Sequence, residues 1–212
     1  MDRFTVFLID DDVGTLTALS EFLRAAGYAT KTYYSSQAFI SGHDVSIPGC
    51  SILDLSLPEL NGLELQQSLL DQGIDRPLIF ISGKTAVPEI VRAMKAGAID
   101  FLIKPVDEAQ LLKAIRSAEE WDNTRRNIES RRKIVLQKIA ELSEREKEVL
   151  ALMVAGLQSK AIAEKLGIGE KTIKVHRGRI HQKMGVKSLA ELVRMTLGIT
   201  IGDPKLRTLS EF

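Results

Sequence analysis

Five short strand-like runs, most of them apolar, bounded by turn residues and alternating with helix-patterned stretches, constrain this chain most. They are Thr5 to Ile9, Tyr28 to Tyr33, Cys50 to Leu53, Leu78 to Ile81 and Phe101 to Ile103. After them, apolar residues recur at helical spacing, as in Leu16, Leu19, Phe22 and Leu23 or in Leu111, Leu112, Ile115 and Ala118. Short, predominantly apolar runs, as four of the five are, suit strands buried on both faces. Strands that alternate with helices predict an α/β fold, a five-stranded doubly wound parallel sheet with right-handed crossovers. All the strand carboxyl ends then lie on one edge, and ligands gather there.

The residues at that edge are not a random set. Strand one runs into Asp10-Asp11-Asp12, strand three into Asp54, strand four into Ser82-Gly83 and strand five into Lys104-Pro105. A lone Asp at a strand end is most often a turn cap. Several carboxylates sharing one corner repel each other and raise one another's pKa, and a hard divalent cation removes that cost. Mg²⁺, or Mn²⁺ in its place, suits one or two carboxylates with a backbone oxygen and retained waters. Lys104 adds a cation and Ser82 a hydroxyl. The set fits phosphoryl transfer to a carboxylate, with Asp54 as the nucleophile.

Residues 5 to about 120 resemble the receiver domain of a two-component response regulator. The resemblance is carried by Ile9-Asp10-Asp11-Asp12, by Asp54 with Leu57-Pro58 and Asn61-Gly62, by Ser82-Gly83 and by Lys104-Pro105. It implies a flavodoxin-like fold and makes Asp54 the phosphoacceptor. It further implies that Asp11, Asp54 and the Ser56 carbonyl hold Mg²⁺ with help from Asp10. Ser82 would hydrogen-bond the phosphoryl group, Lys104 would pair with it, and the bond before Pro105 would be cis. Phe101 stands where the family keeps a switch aromatic, without the hydroxyl of Tyr. Leu57 and Ser82 replace the commoner Met and Thr, and Lys84 lies where the family tunes phosphate lifetime.

The rest of the chain has a different character. Residues 1–120 carry 10 Lys and Arg against 17 Asp and Glu, a charge of −7. Residues 121–212 carry 19 against 11, a charge of +8, so the net +1 hides an acidic half and a basic half. That split points the second half toward a polyanion. One cysteine, Cys50, allows no internal disulfide and suits a reducing compartment. No run approaches the roughly 20 apolar residues of a membrane span.

Residues 121–141 contain no Gly or Pro and predict a helix continuing the fifth one. Trp121, Ile128, Val135 and Leu142 recur every seven residues, but the partner positions Thr124, Arg131 and Lys138 are polar, so the seam is half a coiled coil at best. A solvated spacer and a helix that reports receiver state or pairs two chains both remain open. Beyond it, Ser143 and Glu146 form a capping-box signature. Val149 to Val154, Ile162 with Ala163 and Leu166, and Ile173 with Ile180 and Met184 are apolar stripes of successive helices, with Val175 or His176 also facing inward. A last helix, Ser188 to Leu197, buries Leu189, Leu192 and Val193. A small Ala, a Gly turn and a β-branched residue let two helices cross closely, which is helix-turn-helix geometry.

Residues 142 to about 195 resemble the LuxR-type helix-turn-helix. Leu142-Ser143, Arg145-Glu146, Lys160 with Ile162-Ala163, Thr172-Ile173-Lys174, His176 and Lys183-Met184 carry the resemblance. It implies base contacts from Lys174 and Val175 and phosphate contacts from Lys160, Lys171, Thr172, His176, Arg177, Arg179 and Lys183. Gly178 costs its helix about 1 kcal/mol relative to Ala. The expectation is that it lets the helix sit closer to DNA and moves base reading to Arg177 and Arg179.

Together the halves resemble a NarL/FixJ-type response regulator: a receiver over 1–120, a linker over 121–141, a DNA-binding domain over 142–197 and a frayed tail over 198–212. The resemblance implies a cytoplasmic bacterial protein with no membrane partner. It further implies phosphorylation on Asp54 by a sensor histidine kinase and, through homodimerisation or release of the DNA-binding domain, binding to an inverted repeat in the major groove of double-stranded DNA. RNA polymerase is a candidate partner. The chain would not be an enzyme beyond its own phosphoryl transfer and dephosphorylation. A factor that works without phosphorylation and a small phosphatase with Asp12 as second acid stay open.

Overall fold

The computed structural model describes residues 3–58, 60–83 and 86–197. Lys84 and the 198–212 tail lie outside them. The contacts divide the chain into two compact units, one up to Arg126 and one from Asn127 on.

In the first unit, β1 (Thr5–Ile9), α1 (Val13–Ala25), β2 (Ala29–Tyr33), α2 (Ser36–Gly42), β3 (Gly49–Asp54), α3 (Gly62–Asp71), β4 (Leu78–Ser82), α4 (Val87–Lys95) and β5 (Asp100–Ile103) follow one another, and α5 (Glu108–Ala140) begins. The strands are all parallel in the order β2-β1-β3-β4-β5. This is the expected five-stranded doubly wound, flavodoxin-like sheet. β2 opens at Ala29 and not at Tyr28, because the Tyr28 N–H donates to the Leu23 carbonyl and closes the end of α1.

Strand residues alternate between two apolar cores. Val6, Leu8, Cys50, Ile52, Ile79 and Ile81 pack under α1 and the start of α5 with Leu111 and Ile115. Phe7, Ile9, Leu53 and Phe80 pack on the other side with Phe39, Leu65 and Leu69. Each such side chain removed from water contributes about 1.5–3 kcal/mol, which is why a continuous apolar run reads as a central strand. Cys50 belongs to this core, and burial pushes its thiol up to about 12.

A polar network closes the amino end of the sheet. Asp122 on α5 is only 1% exposed. Its carboxylate accepts from the Gly49 N–H at the start of β3 (3.2 Å) and from Arg126 Nε (2.8 Å). Arg126 also donates to the carbonyls of Val45, Ser46 and Ile47. Arg76 donates to the carbonyls of Asp44 and Ile47, and its guanidinium lies 4.2 Å from the centre of the Phe7 ring. Burial lowers the Arg76 pKa to about 10, and it stays cationic at neutral pH.

The second unit holds α6 (Glu144–Val154), α7 (Ser159–Leu166), α8 (Glu170–Met184) and α9 (Leu189–Thr196). Its core joins Val149, Leu150 and Met153 of α6 to Ile162, Ile173, Ile180, Met184 and Leu192. Leu189 and Val193 of α9 are half-buried, so Leu192 and Thr196 are the buried positions of that helix. The last turns of α5 belong to this core through Val135 and Ile139. The seven-residue recurrence is therefore not one seam: Val135 and Leu142 are buried while Ile128 is 63% exposed and Trp121 37%. The start of the 121–141 stretch is held by the polar Asp122–Arg126 network of the first unit, and its end by the apolar core of the second. Among the described residues no helix is long and apolar enough to cross a membrane.

Ser143 caps α6 as the sequence signals, with a reciprocal bond from the Ser143 N–H to Glu146. Glu146 is buried and pairs with Lys183 Nζ at 2.7 Å. The Lys183 bond and then the Ser143 N–H hold the Glu146 carboxyl below its ordinary value of 4.5, against the opposing effect of burial. A lowered folded pKa stabilises above the unfolded value, and that stability is lost as pH falls through the folded one. Glu146→Gln is expected to destabilise the second unit by about 1–3 kcal/mol at pH 7. The difference from wild type should shrink below pH 4.5, as followed by thermal unfolding at stepped pH.

Candidate functional site

The carboxyl edge of the sheet collects the predicted chemistry. β1 delivers Asp10 and Asp11, β3 delivers Asp54, β4 ends on Ser82, and Lys104 follows β5. Carboxylate oxygens of Asp10, Asp11 and Asp54 lie within 4.8 Å of one another. Lys104 Nζ joins two of them, at 2.7 Å from Asp54 Oδ2 and 3.0 Å from Asp10 Oδ2. Asp10 and Asp54 are buried, while Asp11 is exposed. The remaining lone pairs are organised by the backbone: Asp10 Oδ1 accepts from the Asp12 N–H and Asp54 Oδ1 from the Ser56 N–H.

The charges do not balance. Three carboxylates face one ammonium, a deficit that an oxygen-seeking divalent cation fits. Burial raises the Asp10 pKa, the Asp54 charge adds to the rise, and the bonds from Asp12 and Lys104 oppose it. For Lys104, burial works downward, but the bonds to Asp54 and Asp10 win and the net shift is upward. Lys104 is thus a firm cation at any physiological pH.

Asp12 does other work. Its side chain caps α1, accepting from the Gly14 N–H at 2.8 Å and from Thr15 Oγ1 at 3.1 Å. The Gly14 bond, then the Thr15 hydroxyl, lowers its pKa.

The surroundings of Asp54 are tightly built. Asn61 caps α3 in a capping box with Glu64. Gly62 opens that helix because a Cβ there would stand 2.9 Å from both the Asp54 carbonyl oxygen and the Phe80 ring. Ser82 is fully buried and its carbonyl accepts from the Lys104 N–H at 2.9 Å. The Lys104–Pro105 bond is cis, as expected. Phe101 is half-buried and stacks on Phe80 at 6.1 Å between centroids.

In the second unit, α7 and α8 form the crossed pair around the left-handed Gly167 turn. Lys160, Lys171, Thr172, Lys174, Val175 and Arg179 are exposed, and His176 and Arg177 are half-buried. Val175 faces outward at 48% exposure, so His176 takes the inner position left open between the two. Lys183 is placed differently from the expected phosphate contact. Its Nζ is held by Glu146 and the Glu141 carbonyl, because a buried carboxylate one helix away is a stronger partner than water. Lys138 likewise donates to the Met184 carbonyl at the carboxyl end of α8, where a cation is favoured. Neither Lys138 nor Asp122 is marked out by the sequence pattern as a buried or bridging charge.

Known proteins resemble both parts. Residues 6–116 match the response regulator receiver domain and residues 140–196 the bacterial regulatory proteins of the luxR family. The response regulator protein TodT of Pseudomonas putida is 40% identical over 196 residues, covering 92% of this chain and 86% of TodT. The transcriptional regulatory protein FixJ of Rhizobium meliloti is 38% identical over 198 residues, covering 93% and 97%. A low-resolution structure of the response regulator StyR has 39% identity and a TM-score of 0.81, covering 92% of this chain and 98% of StyR.

The receiver fold joined to a helix-turn-helix unit defines the class: a two-component response regulator that controls transcription. Within that class, the chain belongs to the NarL/FixJ-type family, beside FixJ and TodT.

Proposed function

We propose that Asp54 takes a phosphoryl group from the phosphohistidine of a sensor kinase, and that this controls binding of α8 to DNA. The carboxylate oxygen attacks phosphorus. A new O–P bond forms as the P–N bond breaks, and the departing imidazole keeps the electron pair. Asp10, Asp11, Asp54 and the Ser56 carbonyl would hold Mg²⁺ or Mn²⁺. The bound ion supplies charge neutralisation at the phosphoryl oxygens. Lys104 orients Asp54 and pairs with the incoming group, and the Ser82 hydroxyl donates to it. Movement of Ser82 and Phe101 then alters the α4–β5–α5 surface and leads to dimerisation or release of the DNA-binding unit. A dimer raises the effective concentration of the second half-site contact.

The observation that carries this reading is the convergence of Asp54 and Asp10 on one Lys104 ammonium, beside Asp11, at the carboxyl edge of the sheet. The protein is not proposed to turn over external phosphoesters, and Asp12, the acid such a reaction would need, is engaged in capping α1. The function places the chain with its DNA in the bacterial cytoplasm. Incubation with acetyl phosphate and Mg²⁺ should add one phosphoryl group per chain, read by intact-protein mass. The signal should vanish in Asp54→Asn or with chelator. An Asp54→Asn protein that is still phosphorylated would refute the assignment.

A further inference from the structure

The recognition helix carries a residue that the fold does not ask for. Gly178 sits in the middle of α8, in ordinary helical conformation and not with positive φ. A Cβ built there would meet no atom of the described residues within 4 Å beyond its own helix backbone and chain neighbours. Glycine weakens a helix interior, because it gives up the most backbone freedom and leaves peptide groups exposed. α8 has little to spare, since its N-cap is Gly169 with no side-chain cap bond. Among the described residues of the unit, nothing is relieved by the missing side chain.

The position explains it better than the packing does. Ile173, Ile180 and Met184 are the buried residues of α8 and fix its inner side. At about 100° per residue, Lys171, Val175, Gly178 and Gln182 fall on the opposite side. All four are exposed, and Lys174 and Arg179 are exposed on its two flanks. Gly178 is therefore a notch on the outward face, midway along the helix, with cations on its rim and the apolar Val175 one turn before it. Arg177 is half-buried nearer the core, so it does not share this face.

We infer that Gly178 is a specificity-determining residue: the notch lets the edge of one base pair contact the α8 backbone in the major groove. Val175 forms its apolar wall, and the C5-methyl of thymine is the major-groove group such a wall fits. Lys171, Lys174 and Arg179 hold the flanking phosphates, which fixes the depth at which the helix sits. This rests on the proposed binding of α8 to DNA and adds where the closest approach occurs.

The test is site selection from randomised duplex DNA, with acetyl phosphate and Mg²⁺ present throughout, using the full chain and Gly178→Ala, followed by titration on the wild-type-selected duplex and a scrambled one. Ala is the best helix former, so the variant is expected to melt a few degrees higher. Its affinity for the selected duplex should fall by roughly 10-fold more than its affinity for the scrambled one. Its own selection should no longer fix the A·T pair opposite the notch. Equal affinity and an unchanged selected sequence would overturn the inference, as would equal losses on both duplexes. A wild-type chain that selects no sequence would overturn the proposed function itself and this inference with it.

Discussion

Lys104→Ala is expected to slow phosphorylation of Asp54 by acetyl phosphate at least 100-fold, the scale on which a positioned charge stabilises a transition state. Lys104 is the one cation bonded to Asp54 among the described residues, and it reaches Asp10 as well. Its removal leaves two largely buried carboxylates facing each other, which favours protonating one of them and blunts the nucleophile. It also removes the group that would meet the phosphoryl oxygens. Lys104→Arg should rescue only weakly, because a planar fork cannot place one donor where a compact ammonium touches both carboxylates. The measurement is the rate of mass gain at saturating donor and Mg²⁺. A rate within a few-fold of wild type would remove Lys104 from the chemistry.

Asp122→Ala is expected to destabilise the first unit by about 3 kcal/mol, the lower end for breaking a buried pair, since Arg126 is partly solvated. The substitution strips the Gly49 N–H of its acceptor and takes away the carboxylate that Arg126 bonds. Asp122 also favours the cationic form of the buried Arg76. Asp122→Asn keeps an acceptor for Gly49 and should lose less. Urea unfolding followed in the first unit reads the difference as a lower midpoint at unchanged slope. A loss under about 0.5 kcal/mol would mean that the network is surface decoration.

The carboxyl edge was legible because its signals are local. Asp54, Ser82 and Lys104 each sit where an apolar run stops, and parallel connectivity brings all such ends together. The Ser143–Glu146 capping box was legible for the same reason, since both partners lie within one turn. Asp122 was not. Its Gly49 partner is 73 residues away, and within Trp121 to Glu141 it is one charge among many. The seven-residue recurrence of Trp121, Ile128, Val135 and Leu142 was limited in a related way. Period reveals which residues share a side of a helix, but not that the first part of α5 and its last turns answer to different cores. Lys183 shows the limit for charge patterns: a lysine on a recognition helix reads as a phosphate contact until a buried Glu146 is found beside it.

The central claim is that phosphorylation of Asp54 governs DNA binding, and the direct measurement is affinity for a selected duplex with and without acetyl phosphate and Mg²⁺, for wild type and Asp54→Asn. The prediction is tighter binding to an inverted repeat when donor is added to wild type, and no response from the variant. If both proteins bind equally well with and without donor, Asp54 is not the control point and the receiver acts as a scaffold.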